Sequence, residues 1–339
     1  MSFLSDLIDK LQSRLEDPAF DLTSAKNFAS TINDFKEDIT DRLCELHSAD
    51  NLRVFDSDLG GVIRGPKQSR LRNHGENEKG VLSCNLARFE RCSEVSYFRA
   101  LFNLPDRSFN INSNSKVRLI GYESPLMRKK TDTRNIDIKS RTIACDLVGL
   151  TSHNQLLCIE GKVNPHDDAT NIVYGLLEGF AYGVAVEYFL SDNKLRVDLT
   201  DEVLACSKEF HPNTNGKMKV GLTSAFSLAA PREYFKEYFS PTRLGTERAH
   251  NKLKKKVNNQ LSQTRNLLAA FKNVRGPAWA GFMILEPIRS YESFDGRNCR
   301  TIDGRQLVEP HFKPNTFKAH IAQDVDELRK SLGLLESKI

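Results

Sequence analysis

Asp146, Glu160 and Lys162 are the residues whose types and spacing point most directly to chemistry. They lie on two runs, 141–150 and 155–163, which read as strands on either side of the polar turn Thr151, Ser152, His153 and Asn154. An antiparallel hairpin centred on His153 sets Asp146 opposite Glu160, with Cβ atoms about 4.5–5.5 Å apart. Period-two alternation puts Lys162 on the face of Glu160 and leaves Ile143, Cys145, Leu147, Leu157, Ile159 and Val163 for an apolar face. Opposed carboxylates repel each other, so a pair on otherwise apolar strands points to a cation between them. A hard divalent ion such as Mg²⁺, or Mn²⁺ in its place, suits oxygen ligands, and the Gly161 carbonyl is a further donor at that edge. Lys162 beside it is placed to orient a water or stabilise charge developing on a phosphate. The competing reading is an ordinary cross-strand ion pair, worth about 0–1 kcal/mol if exposed. Glu-x-Lys recurs at Glu336 and Lys338 with no such setting.

The elements that must position these groups follow from periodicity. Apolar residues at helical spacing give an acidic helical pair up to Leu46, then an irregular connector over 51–80. A helix over 82–103 ends at Leu104 and Pro105. Strands are expected at Lys116–Glu123, 141–150, 155–163 and Lys217–Phe226. A helix opens at Asp167 and Asp168 and runs to Leu190. Beyond these come helices over 231–239 and 244–273, a strand over Ala278–Ile288 and a last helix over 322–336. The expected fold class is α/β, a mixed central sheet flanked by helices with added N- and C-terminal helical parts. Three regions are expected: 1–80, acidic helices and connector; 81–230, an α/β core; and 231–339, an extension with a basic helix packed on the core.

Composition bounds the function. Apolar residues make up 39% and charged residues 27%, ordinary for a soluble globular chain and not for a disordered one. Lys and Arg number 49 against 44 Asp and Glu, which permits an anionic partner without requiring one. The charge is uneven: residues 1–50 hold 11 acids and 5 bases, residues 241–275 hold 9 bases and the single acid Glu247. Seven cysteines without a CxxC spacing argue against a zinc ribbon or disulfide framework and for a reducing cytoplasm. The first ten residues lack the basic start of a signal peptide. The most apolar stretch, Gly175–Leu190, is interrupted by Glu178 and Glu187 and reads as too short and too charged to span a bilayer, so no membrane partner is expected. No P-loop, GxGxxG, GxSxG or HExxH pattern is present, so NTP-driven, dinucleotide, serine-hydrolase and histidine-zinc chemistry have no support.

Asp146, a turn, then Ile159, Glu160, Gly161 and Lys162, in the order helix, three strands, helix, strand, resembles the PD-(D/E)XK nuclease superfamily over residues 82–226. Cys145 stands where that pattern has proline. The resemblance implies a restriction-endonuclease-like αβββαβ core and Mg²⁺-dependent phosphodiester hydrolysis, endonucleolytic rather than exonucleolytic. Asp146 and Glu160 would be the metal ligands and Lys162 the polar catalyst. It also implies an acid from the helix before the sheet, Glu94 ahead of Glu90, and support from Glu178 and Tyr182 on the helix after it. Restriction or anti-phage defence is the biological setting it suggests.

Glu123, ending its strand before Ser124 and Pro125, is in reach of the same site or else shapes the turn. A basic loop with Arg128, Lys129, Lys130 and Arg134 is suited to the phosphate backbone, as is Lys254, Lys255 and Lys256 on the helix over 244–273; a solvated face is the competing reading of each. Gly175, Gly179 and Gly183 form a small-residue stripe, for close packing on the sheet or a dimer or partner-subunit contact. DNA is expected ahead of RNA. The alternatives are a non-catalytic nucleic-acid-binding or scaffold subunit, an RNase on the same core, and an unrelated α/β enzyme.

Overall fold

The two acidic helices expected at the N-terminus are α1 (Phe3–Glu16) and α2 (Ala25–Ser48). Both are amphipathic, with Leu4, Ile8, Leu11 and Leu15 of α1 and Phe28, Ile32, Phe35 and Ile39 of α2 buried at helical spacing. The structure, a computed structural model, describes residues 3–17, 20, 24–48, 52–53, 98, 101, 108–112, 115–129, 142–153, 155–163, 171–191, 223–239, 247–286, 300–302, 305–307 and 319–334. The connector over 51–80 and the helix over 82–103 lie outside them, save Leu52, Arg53, Phe98 and Leu101.

Among the described residues eight strands make one mixed sheet: β1 (Leu52–Arg53), β2 (Ser108–Asn112), β3 (Ser115–Lys129), β4 (Thr142–Thr151), β5 (Gln155–Gly161), β6 (Thr223–Pro231), β7 (Ala278–Leu285) and β10 (Ala319–Ala322). Their order is β1-β3-β4-β5-β6-β7-β10, with β2 also paired to β3. β5, β6 and β7 run parallel, and the other pairs are antiparallel. β8 (Arg300–Ile302) and β9 (Arg305–Leu307) form a separate ribbon. The helices after the site strands are α3 (Ile172–Ser191), α4 (Arg232–Phe239), α5 (Glu247–Asn273) and α6 (Val325–Ser331). The molecule is therefore mixed α/β. β7 and β10, from the segment after residue 230, extend the same sheet.

The sheet separates two apolar clusters. One, on the helix side, gathers Val148, Leu150, Leu156, Cys158, Phe226, Leu228, Phe282 and Ile284 under α1, α2, α3 and α5. The other holds Leu147, Leu157, Ile159, Val163, Ala225, Ala229 and Met283 with Phe98 and Leu101. Among the described side chains period-two alternation assigns Leu147, Leu157, Ile159 and Val163 to one face as expected, but Cys145 belongs to the helix-side cluster and not with Leu147; the side chain of Ile143 lies outside those described. Its Sγ turns to the Leu147 carbonyl at 3.0 Å and the Ile159 carbonyl at 3.5 Å, so the alternation breaks beside Asp146.

Other boundaries differ for local reasons. β3 continues through Pro125 to Lys129, so Arg128 and Lys129 are strand residues, paired with Thr142 and Leu52, and not part of a loop. Proline is tolerated there because the β3–β4 register shifts at Pro125. β6 runs on through Ala229, Ala230 and Pro231, since a strand buried between two parallel neighbours has no polar alternation to mark its end. α3 begins at Ile172, where the Asn171 side chain accepts the Tyr174 N–H at 2.7 Å, an N-cap that the Asp167 and Asp168 expectation missed; those two lie outside the described residues. The last helix is shorter than expected, because 319–322 pairs with β7 and Asp324 caps α6 by accepting the N–H groups of Asp326 and Glu327.

α3 has 20 residues and is long and apolar enough to cross a membrane by length and composition, contrary to expectation, but 78% of its most apolar window is buried inside the protein. It is a core helix.

Candidate active site

The β4–β5 hairpin has the register that the sequence predicts. Leu150 faces Leu156, Gly149 faces Leu157, Val148 faces Cys158 and Leu147 faces Ile159, so the next pair in line is Asp146 and Glu160. There the side chain of Asp146 replaces backbone pairing: its Oδ2 accepts the Gly161 N–H at 2.8 Å. The β3–β4 register places the backbone of Glu123 opposite Asp146, between the Tyr122–Leu147 and Ser124–Cys145 pairs.

Glu160 and Lys162 are each 4% exposed. Lys162 Nζ donates to Glu160 Oε1 at 2.7 Å and to Glu178 Oε2 at 2.8 Å. The lysine backbone is fixed as well, its N–H bonded to the Ala229 carbonyl of β6 at 2.9 Å. The site thus stands at the carboxyl ends of the parallel strands β5 and β6, where open α/β sheets place ligands. An ammonium ion joining two carboxylates away from water is held rigidly, because either partner's loss strands a buried charge.

Two sets of glycines let the walls close on this cluster. A Cβ on Gly175 would come within 3.2 Å of Lys162 Cε and 2.7 Å of Leu228 Cδ1, and one on Gly179 within 3.6 Å of Glu160 Cβ. The stripe therefore lays the backbone of α3 on the stems of Lys162 and Glu160. This is the close-packing reading; the stripe faces the sheet and lends nothing to a dimer contact. On the other side, a Cβ on Gly161 would sit 2.0 Å from the ring of Phe98. Gly161→Ala is expected to destabilise the fold by about 1–3 kcal/mol through this overpacking. Urea unfolding checks it; an unchanged midpoint would show that Phe98 does not cover the site.

The three carboxylates set a negative field. The half-buried Tyr182 has its phenol pushed well above the ordinary range, first by burial, then by Glu178, Glu160 and Asp146. Burial likewise raises the Cys145 thiol, followed by its neighbour Cys158 and by Glu160 and Asp146. Tyr174, one turn before Glu178, is pushed up to about 12 by burial and by Glu178 and Asp9, with Lys162 opposing. A tyrosine raised from 10 to about 12 ionises in the unfolded chain first. Its contribution to stability is therefore whole below pH 10 and declines as pH rises towards 12. Tyr174→Phe is expected to flatten that decline in urea midpoints between pH 9 and about 12; an unchanged slope would place the tyrosine outside this field.

The donor set fits a hard cation. Asp146 and Glu160 bring two carboxylates to adjoining positions of β4 and β5, and the Gly161 carbonyl is a further hard oxygen donor next in sequence to Glu160. Among the described residues no three His, Cys, Asp or Glu side chains gather to hold a metal by themselves. A cation here would complete its shell with water or substrate oxygens, as Mg²⁺ does.

The structure thus brings together Asp146, Glu160, Gly161, Lys162, Glu178 and Tyr182. Glu90, Glu94, Lys130 and Arg134 lie outside the described residues. Lys254, Lys255 and Lys256 are on α5, away from the hairpin in sequence, with Lys255 exposed. The bridge from Lys162 to Glu178 was not foreseen; the signal for it was Glu178 interrupting an apolar helix directly after Lys162. No model of a known protein family matches the chain, and no curated protein and no solved structure matches it.

Proposed function

We propose that the protein is a Mg²⁺-dependent nuclease that hydrolyses phosphodiester bonds in nucleic acid, DNA ahead of RNA, on a restriction-endonuclease-like core. The observation that carries this reading is the buried Glu160–Lys162–Glu178 bridge beside an Asp146 carboxylate bonded to the Gly161 N–H. Asp146, Glu160 and the Gly161 carbonyl would hold Mg²⁺ or Mn²⁺. Such an ion, when bound, lowers the pKa of a water and neutralises charge on phosphate oxygens.

The protein's own groups do the rest. Glu160 and Glu178 fix the Lys162 ammonium, a donor without acceptor capacity, in one place. That donor orients the attacking water or meets the charge growing on the phosphoryl oxygens, where a preorganised hydrogen bond is worth most. The apolar clusters on both sides of β5 keep bulk water from the lysine. The resemblance to restriction-type nucleases makes a cytoplasmic role in restriction or anti-phage defence part of the same proposal.

The second reading is a nucleic-acid-binding or scaffold subunit without chemistry. What favours it is that Lys162 already bridges Glu160 and Glu178, an ion-paired arrangement that holds together through the protein's own groups. Supercoiled plasmid incubated with Mg²⁺ or Mn²⁺, beside a no-metal control, separates the two. Metal-dependent nicking or linearisation is expected. Binding of the plasmid without any cutting in either metal would favour the scaffold.

A further inference from the structure

α5 is longer than the strand it leads into. Its 27 residues span about 40 Å at 1.5 Å per residue, and the 8 residues of β7 span about 26 Å. The C-terminal end of α5 is pinned where β6 and β7 begin. Phe271 stacks on Phe180 at 4.8 Å and lies edge-on to Phe226 at 5.1 Å. Pro277, in the short connection to β7, lies against Gly183, near the start of β6 at Ser224.

From that end the helix runs back towards the edge where β5, β6 and β7 finish. Arg265 meets Asp326 of α6 at 2.7 Å, and α6 ends at Ser331, whose carbonyl accepts from Arg232, the first residue after β6, at 2.6 Å. Val257 and Leu261 are buried in the helix-side core, so the helix is seated on the protein from Val257 onward. The excess length leaves about nine residues at its start beyond the strand ends. Those are the residues that carry Arg248, Lys252, Lys254 and Lys255, with Lys256 next and Glu247 the one acid.

The overhang is on the same edge as Glu160 and Lys162. α5 packs against α3, whose first turns hold Tyr174 and Glu178 over Lys162. Neighbouring helix axes lie about 8–10 Å apart. Phe271 is level with Phe180, just past Glu178, and Lys256 comes 15 residues earlier, about 22 Å along the axis, so the basic segment is on the order of 20–30 Å from the lysine, roughly six to nine steps of 3.4 Å along a nucleic-acid strand.

We propose that this overhang, Arg248–Lys256, holds the phosphate backbone of a DNA duplex several base pairs to one side of the bond placed at Glu160 and Lys162. The proposal rests on the nuclease reading for the position of that bond. The argument for the occupant is charge complementarity: the sequence sets five bases along about two turns of helix, with Lys255 exposed among them, and a nucleic-acid backbone is a polyanion.

The test is fluorescence anisotropy with a 30-base-pair duplex, without divalent metal, from 50 to 200 mM NaCl. Wild type is compared with Lys252→Gln/Lys255→Gln/Lys256→Gln and with Lys255→Gln alone, each checked by urea unfolding. Each phosphate contact contributes about 0.9 to the slope of log affinity against log salt. The triple variant is expected to lose about 2–3 from that slope and roughly 10- to 100-fold in affinity at 150 mM salt. The single variant at exposed Lys255 is expected to lose about one from the slope. An unchanged slope in both, or binding lost only to phosphatidylserine vesicles and not to the duplex, would overturn the proposal. Cutting by wild type with an unchanged slope would sink the clamp alone. A reduced slope without cutting by wild type would keep the clamp and sink the nuclease.

Discussion

Glu160→Gln is expected to lower Mg²⁺-dependent cleavage of plasmid DNA by about 10³-fold or more, which is about 4 kcal/mol of transition-state stabilisation. The substitution keeps the shape of the side chain, and its amide oxygen still accepts from Lys162, whose Nζ lies 2.7 Å from Glu160 Oε1. What it removes is the negative charge next to Asp146 and Gly161 on which a hard cation depends. Loss of one preorganised electrostatic partner in a dry site costs about 10²–10³. Here the same change weakens both the cation's ligand set and the hold on Lys162, hence the larger figure. The check is the initial rate of plasmid nicking over a Mg²⁺ titration, with urea midpoints to establish that the variant is folded. A folded variant within about three-fold of wild type would show that Glu160 is structural.

Lys162→Met carries the second large effect, and it is on stability. Its ammonium is the bridge between Glu160 and Glu178, and Lys162 and Glu160 are almost wholly buried. Removing it leaves two carboxylates facing each other with little water, and breaking a buried pair in this way costs about 3–5 kcal/mol. That is a large share of the 5–15 kcal/mol typical of a folded domain. Neutralising the carboxylates as well, in Glu160→Gln/Lys162→Met/Glu178→Gln, is expected to recover most of the loss, since an uncharged cluster of similar volume needs no counter-ion. The triple variant should be stable and inactive. Equal destabilisation of the single and triple variants in urea would mean that cavity formation, and not stranded charge, governs the site.

The hairpin was legible because its two strands alternate cleanly over Leu147–Leu150 and Leu156–Ile159, which fixes register and faces together. The same rule failed at Cys145, where the Asp146 carboxylate takes a backbone N–H and the alternation slips. The glycine stripe could be read as a packing surface, but not what it packs on: only the fold reveals that Gly175 and Gly179 rest on Lys162 and Glu160. The Glu178 partner was on the right helix face by spacing, yet its bond to Lys162 spans a chain crossover and has no local signature. β2 and β10 were missed because they have five and four residues, too few for the alternation of Phe109 and Ile111 in one, or the single Ile321 of the other, to stand out from a loop. The start of α3 was misplaced because two aspartates and one asparagine are comparable N-caps, and the asparagine is the one that caps.

Crystals soaked in Mn²⁺, measured at the manganese absorption edge, test the central claim most directly. The account predicts one anomalous peak bonded to oxygens of Asp146 and Glu160 and to the Gly161 carbonyl, lost in the Glu160→Gln protein. No peak at that position under millimolar Mn²⁺, with Lys162 still seated between Glu160 and Glu178, would contradict it.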